Sequence, residues 1–195
     1  MKNILVGMII CLAGNLFALE MDSIAPTFEL RGTPKTVNLK DIKDRYIVLE
    51  WYNEGCPFVR KHYDSKNMQG LQRKYKDNVT WLTLNSSAEG RQGFLENVAT
   101  AKKTFNKEQM AAMSLLLDST GKVGKLYEAK TTPHMFIIDP KGKLVYQGAI
   151  DSVASANSDD IKNSINYIDQ ALTESLAGKK ISVAKTKPYG CSVKY

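Results

Sequence analysis

One stretch constrains this chain more than any other: Val48-Leu49-Glu50-Trp51-Tyr52-Asn53-Glu54-Gly55-Cys56-Pro57-Phe58-Val59-Arg60. Its first part is β-branched and aromatic, as a buried strand requires, and Glu54-Gly55 breaks it with a turn signal. Pro57 then restarts the chain as a helix, because a residue without an N–H loses nothing at the first helical position. Cys56 falls at the strand-to-helix junction, where a helix N-terminus favours negative charge. A thiol placed there ionises more readily, and the thiolate is the form that does chemistry. A buried, inert cysteine is the alternative.

The chain has 195 residues, enough for one domain with a proper core. Residues 1–18 read as a secretory signal peptide: Lys2, an apolar run from Ile4 to Phe17, and small residues at Ala13 and Ala18. The run is short for a membrane span, so no stable membrane insertion is expected after cleavage, and a periplasmic address follows. An uncleaved anchor is the other possibility. Met8-Ile9-Ile10 precedes Cys11 where a lipid-attachment site has small residues. Export leaves two cysteines, Cys56 and Cys191, in a compartment that permits a disulfide. The net charge of +7 becomes +6 without Lys2. Its lysines and arginines are scattered, so no nucleic-acid partner is expected.

Beyond a lead-in over 19–26, Thr27–Leu30 and Thr36–Leu39 read as short strands about the turn Arg31-Gly32-Thr33-Pro34. A helical turn over Asp41–Asp44 and the first central strand, Tyr46–Tyr52, follow. One helix is expected from Pro57 to about Lys76, then a strand Val79–Leu84. Phe94, Val98, Ala101 and Phe105 predict a helix over Gln92–Asn106. A short strand at Leu115–Leu117 and a helix over Gly121–Ala129 come next. Met135–Asp139 and Lys143–Gln147 flank Pro140-Lys141-Gly142 as a hairpin. Ile161, Ile165, Ile168, Leu172 and Leu176 form the stripe of a closing helix that stops at Gly178. The domain is thus 19–178, followed by a turn-prone, mobile tail over 179–195 that carries Cys191. Alternating elements predict an α/β mixed central sheet with helices on both faces, an N-terminal β extension and the first central strand in the middle. Cys56 lies beyond that strand's carboxyl end, where ligands bind in such sheets.

Val48 to Pro57 resembles the active-site turn of the thioredoxin-like superfamily, and Thr131-Thr132-Pro133-His134-Met135-Phe136-Ile137-Ile138-Asp139 resembles its cis-proline strand. Asp139-Pro140-Lys141-Gly142 with Leu144-Val145-Tyr146-Gln147-Gly148 is similar to the hairpin of the redoxin branch, which includes peroxiredoxins and exported thiol-disulfide proteins. The resemblance spans roughly Ala25 to Leu176. It implies a cis Thr132-Pro133 peptide near Cys56, with the Thr132 backbone gripping an extended thiol substrate by strand-like hydrogen bonds. Both family motifs are incomplete here. A thioredoxin C-x-x-C, aligned without gaps, falls on Gly55 and Phe58. The peroxiredoxin Thr and Pro positions hold Asn53 and Leu49. Arg60 occupies the second cysteine position of a copper chaperone.

The resemblance implies a thiol-dependent oxidoreductase with Cys56 as nucleophile and no cofactor. Cys191, in the Gly190-Cys191 motif 135 residues further on, either resolves an oxidised Cys56, pins the tail in a permanent disulfide, or stands unconnected. His134 either holds Cys56 as thiolate and shuttles its proton or points away. Asn53 offers a polar hydrogen bond. Gly55 and Arg60 complete the expected substrate-binding set, Arg60 stabilising the thiolate or binding a peroxide's oxygens. Two histidines with one local cysteine make a poor metal set. Peroxide reduction is slightly favoured over exchange with a protein disulfide; either needs an unidentified thiol reductant. The rival is a non-catalytic thioredoxin-fold binding module in the periplasm.

Overall fold

The computed structural model describes residues 19–195; the leader expected over 1–18 lies outside them. β1 (Glu29–Leu30) pairs antiparallel with β3 (Val37–Asn38), forming the N-terminal β extension. Between them, β2 (Gly32–Thr33) leaves the expected turn and joins the edge of the main sheet against β6 (Ser114–Leu117). The turn reading fails here because Gly32 permits a close backbone approach: a Cβ on it would sit 2.5 Å from the Leu115 carbonyl. A 3-10 turn at Leu39–Asp41 is capped by the Asn38 side chain, slightly earlier than the helical turn expected.

β4 (Tyr46–Trp51) is parallel to β5 (Val79–Asn85) and antiparallel to β8 (His134–Ile138). The six-stranded order is β2-β6-β5-β4-β8-β9, with β9 (Leu144–Gly148) at the far edge. β4 therefore occupies the interior of a mixed sheet, as the alternation of elements predicts. The two-residue period divides its side chains. Val48 and Tyr52 enter one core layer with Tyr63, Met68, Leu71, Ile168 and Leu172, whereas Ile47, Leu49 and Trp51 enter the other with Val123, Tyr127 and Phe136.

The helix expected after Pro57 is two helices, α1 (Pro57–Asp64) and α2 (Asn67–Tyr75). Ser65 Oγ donates back to the Lys61 carbonyl at 2.6 Å, and Lys66 turns left-handed at φ 62°. That hydroxyl competition with the backbone ends α1, and the apolar spacing that continues across the break conceals it. α3 (Val98–Lys107) begins six residues later than the apolar pattern predicts, because Asn97 caps it by accepting from the Thr100 amide at 3.0 Å. α4 (Lys122–Leu126) matches its expected place, preceding β7 (Thr131–Thr132). The closing helix is only α5 (Tyr167–Leu176), capped by Asn166. Ile161 lies in a separate 3-10 turn and Ile165 is 57% exposed.

The tail is packed along the domain rather than free. Gln147 exchanges backbone bonds with Ala184 and Thr186, both at 3.1 Å. β10 (Cys191–Ser192) pairs antiparallel with β7, Cys191 opposite Thr132. Tyr195 Oη then donates to the Ala129 carbonyl at 2.8 Å. Among the described residues, no helix is long and apolar enough to cross a membrane.

Two glycines give opposite expectations. Gly32→Ala forces β2 off β6 and lowers stability by about 1–3 kcal/mol. Gly70→Ala, inside α2 with open space around its Cα, raises stability by about 0.5–1 kcal/mol. Urea midpoints at constant m test both, and a Gly32→Ala midpoint equal to wild type contradicts the strand assignment.

Candidate active site

The turn that carries Cys56 is built by Asn53. Its Oδ1 accepts from the Gly55 amide at 2.9 Å, and its Nδ2 donates to the Gln92 carbonyl at 2.9 Å and to Ser87 Oγ at 3.2 Å. Gln92 in turn donates to the Gly55 carbonyl at 3.1 Å. A Cβ on Gly55 would meet the Gln92 side chain within 2.9 Å, so a larger residue there displaces that side chain and its bond to the Gly55 carbonyl. The Cys56 amide closes the turn on the Asn53 carbonyl at 3.1 Å, and Cys56 is the N-cap of α1 with Pro57 as its first residue.

Cys56 is fully buried, and what covers it is chemically specific. Its Sγ donates to the Thr132 carbonyl at 3.0 Å, and the Thr132-Pro133 peptide is cis. Cys191, opposite Thr132 in the β7–β10 ladder, brings its thiol within hydrogen-bonding reach of the same sulfur. The two cysteines are free, not bridged. Gly190, at φ 136°, lies so close to Thr132 that a Cβ would stand 2.1 Å from its carbonyl oxygen. The strand edge expected to grip an extended thiol substrate is thus filled by the chain's own Gly190-Cys191-Ser192.

Burial pushes the Cys56 thiol up, but it is outweighed. Hydrogen bonding by Cys191, its thiol first and then its amide, leaves Cys56 below the ordinary thiol value. The Thr132 carbonyl favours the protonated form, so the lowering comes from the donors. Cys191 moves the other way, pushed up to about 11 by burial and then by its bond to Cys56 and that sulfur's charge. Cys56 therefore ionises first while Cys191 keeps its proton.

Thr132, Pro133, Cys191, Asn53 and Gly55 all converge on Cys56 or its turn. Arg60 does not. Its guanidinium is held by both Glu108 carboxylate oxygens at 2.9 Å and by Asp64 at 3.2 Å, so a bidentate ion pair occupies the terminal nitrogens expected for a thiolate or peroxide, and the remaining Nε is buried without a partner. His134 does not either. With Phe136 and Ile138 it faces the core layer opposite Cys56, its ring stacks on Phe136 at 4.4 Å, and its Nδ1 accepts from the Lys130 amide at 3.2 Å. The alternation of β8 settles its direction, which residue spacing near the proline left open.

Two features escaped the sequence reading. Glu50 is a buried carboxylate in the middle of β4, receiving hydrogen bonds from Tyr63, Gln72, Trp81 and Thr83. A lone acid inside an apolar strand was the available signal. Lys61 and Asp151 form a buried ion pair at 2.8 Å, on which Tyr189 closes; nothing in their spacing announces it. Among the described residues no cluster of three or more His, Cys, Asp or Glu is arranged to hold a metal ion.

Fold and site together are those of a thioredoxin-like protein of the redoxin branch. Residues 21–147 match the AhpC/TSA family model, and the chain belongs to that family. Among solved structures, an uncharacterized conserved protein from Geobacillus kaustophilus is similar at 26% identity, covering 91% of this chain and 93% of its own, with TM-score 0.73. A hypothetical protein from Sinorhizobium meliloti is similar at 21% identity over 92% and 96%, with TM-score 0.74, a likeness of fold. A putative thiol:disulfide interchange protein DsbE from Chlorobium tepidum is similar at 26% identity over 67% and 85%, with TM-score 0.53. No curated protein matches the chain.

The buried titratable groups set a pH profile whose sign can be worked out. Burial holds His62 at about 4 and His134 at about 3, below the ordinary 6.5. As pH falls below 6.5 the unfolded chain gains two protons that the folded chain refuses, so stability drops. Glu50, raised by burial to about 7 from 4.5, acts oppositely: it costs stability as pH rises from 4.5 to 7. Two histidines outweigh one carboxyl. The urea midpoint is expected to be higher at pH 6.5 than at 4.5, and Glu50→Gln is expected to steepen that rise. Equal midpoints at both pH values contradict the assignment.

Proposed function

We propose that this protein is a thiol-disulfide oxidoreductase whose redox pair is Cys56 and Cys191, joined within one chain. The family and the fold support a thiol oxidoreductase in general. The observation that carries the finer reading is the register of β10 on β7, which brings Cys191 to Cys56 on the strand next to Pro133.

The chemistry balances with a disulfide substrate. The Cys56 thiolate attacks one sulfur of R–S–S–R′, the S–S bond breaks, and R′–S⁻ leaves to take a proton from solvent. Once Cys56 is in the mixed disulfide, the charge and hydrogen bond that raise Cys191 are gone, so Cys191 loses its proton more easily. Its thiolate attacks Cys56 Sγ, forming Cys56–Cys191 and expelling R–S⁻. The substrate gains two electrons, and an external thiol reductant returns them to the protein. Because Cys56 is covered by the tail, the first attack requires β10 to lift from β7.

Peroxide reduction is the second reading, favoured by the AhpC/TSA match. It uses the same pair: peroxide converts Cys56 to a sulfenic acid, and Cys191 displaces water. The terminal nitrogens of Arg60 are committed to Glu108 and Asp64, its unpartnered Nε is buried, and Asn53 is committed to the turn, so neither presents an exposed donor to a peroxide. Exchange is therefore the better-supported chemistry. Export, read from residues 1–18, suits a redox pair that must be reoxidised and reduced outside the reducing cytosol.

The test is to treat reduced mature protein separately with glutathione disulfide and with hydrogen peroxide, following mass and free thiols. Wild type is expected to lose two hydrogens and both thiols, faster with the disulfide; Cys191→Ser is expected to stop as a glutathione adduct on Cys56. Peroxide as the faster oxidant, with a sulfenate trapped in Cys191→Ser, favours the second reading. Inertness of Cys56 to both leaves only a binding module.

A further inference from the structure

The tail reaches the site through an anchor that neither half-reaction uses. Tyr189, two residues before Cys191, inserts its hydroxyl into a buried cluster on α1. It donates to Asp151 Oδ1 at 2.5 Å, lies 3.4 Å from Lys61 Nζ and 3.3 Å from His62 Nε2. Lys61 is itself wholly buried, donating to Asp151 Oδ2 and to the Val153 carbonyl, both at 2.8 Å. The Tyr189 ring packs edge-on against Phe58 at 5.8 Å between centroids. A buried ion pair is a poor way to gain stability, because desolvation offsets most of its attraction. Here it presents a fixed acceptor to one group of the tail.

Phe58, Lys61 and His62 all belong to the helix that begins at Cys56. Part of the anchor, Phe58, Lys61 and His62, therefore rides on the helix that Cys56 caps, and Asp151 meets it from beyond β9. Gly190, the residue between anchor and thiol, approaches the Thr132 carbonyl where no side chain fits. Tyr189, Gly190 and Cys191 thus act as an anchor, a spacer and a reacting group.

We propose that Tyr189, held by Asp151 and Lys61, is a positioning residue that sets the effective concentration of Cys191 at Cys56, and with it the stability of their disulfide. This rests on the redox pair proposed above. Two reacting groups on one chain meet at a concentration set by the segment that joins them. Thr186 and Tyr195 hold the tail on either side, so losing the anchor loosens Cys191 without releasing the tail.

The test equilibrates full mature protein with glutathione buffers and measures, by mass, the reduced, bridged and glutathione-adduct forms. In forming the bridge, Cys56 first takes one glutathionyl group from glutathione disulfide, releasing one glutathione. Cys191 then displaces the second. Tyr189→Phe keeps the ring and removes the hydroxyl. It is expected to lower the bridging equilibrium constant roughly tenfold, as for loss of a charge-assisted hydrogen bond, and to raise the adduct fraction while the reduced protein stays folded. Gly190→Ala, which disturbs only the spacer, is expected to lower the constant further. A Tyr189→Phe constant within twofold of wild type overturns the anchor. Failure of wild type to bridge at all overturns the redox pair, and the anchor with it.

Discussion

The short antiparallel ladder between Cys191-Ser192 and Thr131-Thr132 is the contact on which the site depends. It is two residues long, and such a pairing is marginal by itself. It holds because the chain on either side is fixed: Tyr189 in the Asp151–Lys61 cluster before it, and Tyr195 on Ala129 after it. Without this ladder Cys56 would be a lone thiol at a helix start. With it, the sulfur gains two donors from Cys191 and a cover that excludes other reactants.

The same cover explains how a fully buried cysteine fits a redox role. Burial in hydrocarbon alone would raise its proton affinity and silence it. What buries Cys56 is partly polar: the Thr132 carbonyl, which accepts from its thiol, and the Cys191 thiol and amide, which donate to it. These donors reverse the effect of burial. The β7 edge beside Cys56 is occupied by a segment of the chain that carries its own thiol, so, under the function proposed, an external thiol or disulfide competes with an intramolecular strand for the same backbone groups.

Much of this was legible in the sequence because local signals and tertiary demands agree there. Val48 to Tyr52 reads as a buried strand and is one up to Trp51; Glu54-Gly55-Cys56-Pro57 reads as a turn into a helix and is one. Readings failed where a single side chain overruled the pattern. The Ser65 hydroxyl ended a helix whose apolar spacing continued, and Asn97 delayed another by capping it. His134 depended on strand parity, which proximity to Pro133 does not reveal. The tail was least legible. Its order comes from backbone bonds and from one tyrosine meeting Asp151 and Lys61, residues 38 and 128 positions away, and neither leaves a periodic trace.

The most direct measurement is the ionisation of Cys56 followed by thiolate absorbance in the ultraviolet, for wild type and for Cys191→Ala. The account predicts that wild type titrates below an ordinary thiol and that removing Cys191, its principal donor, moves the midpoint upward. Identical midpoints in the two proteins would show that Cys191 does not touch the nucleophile, and would contradict the account at its centre.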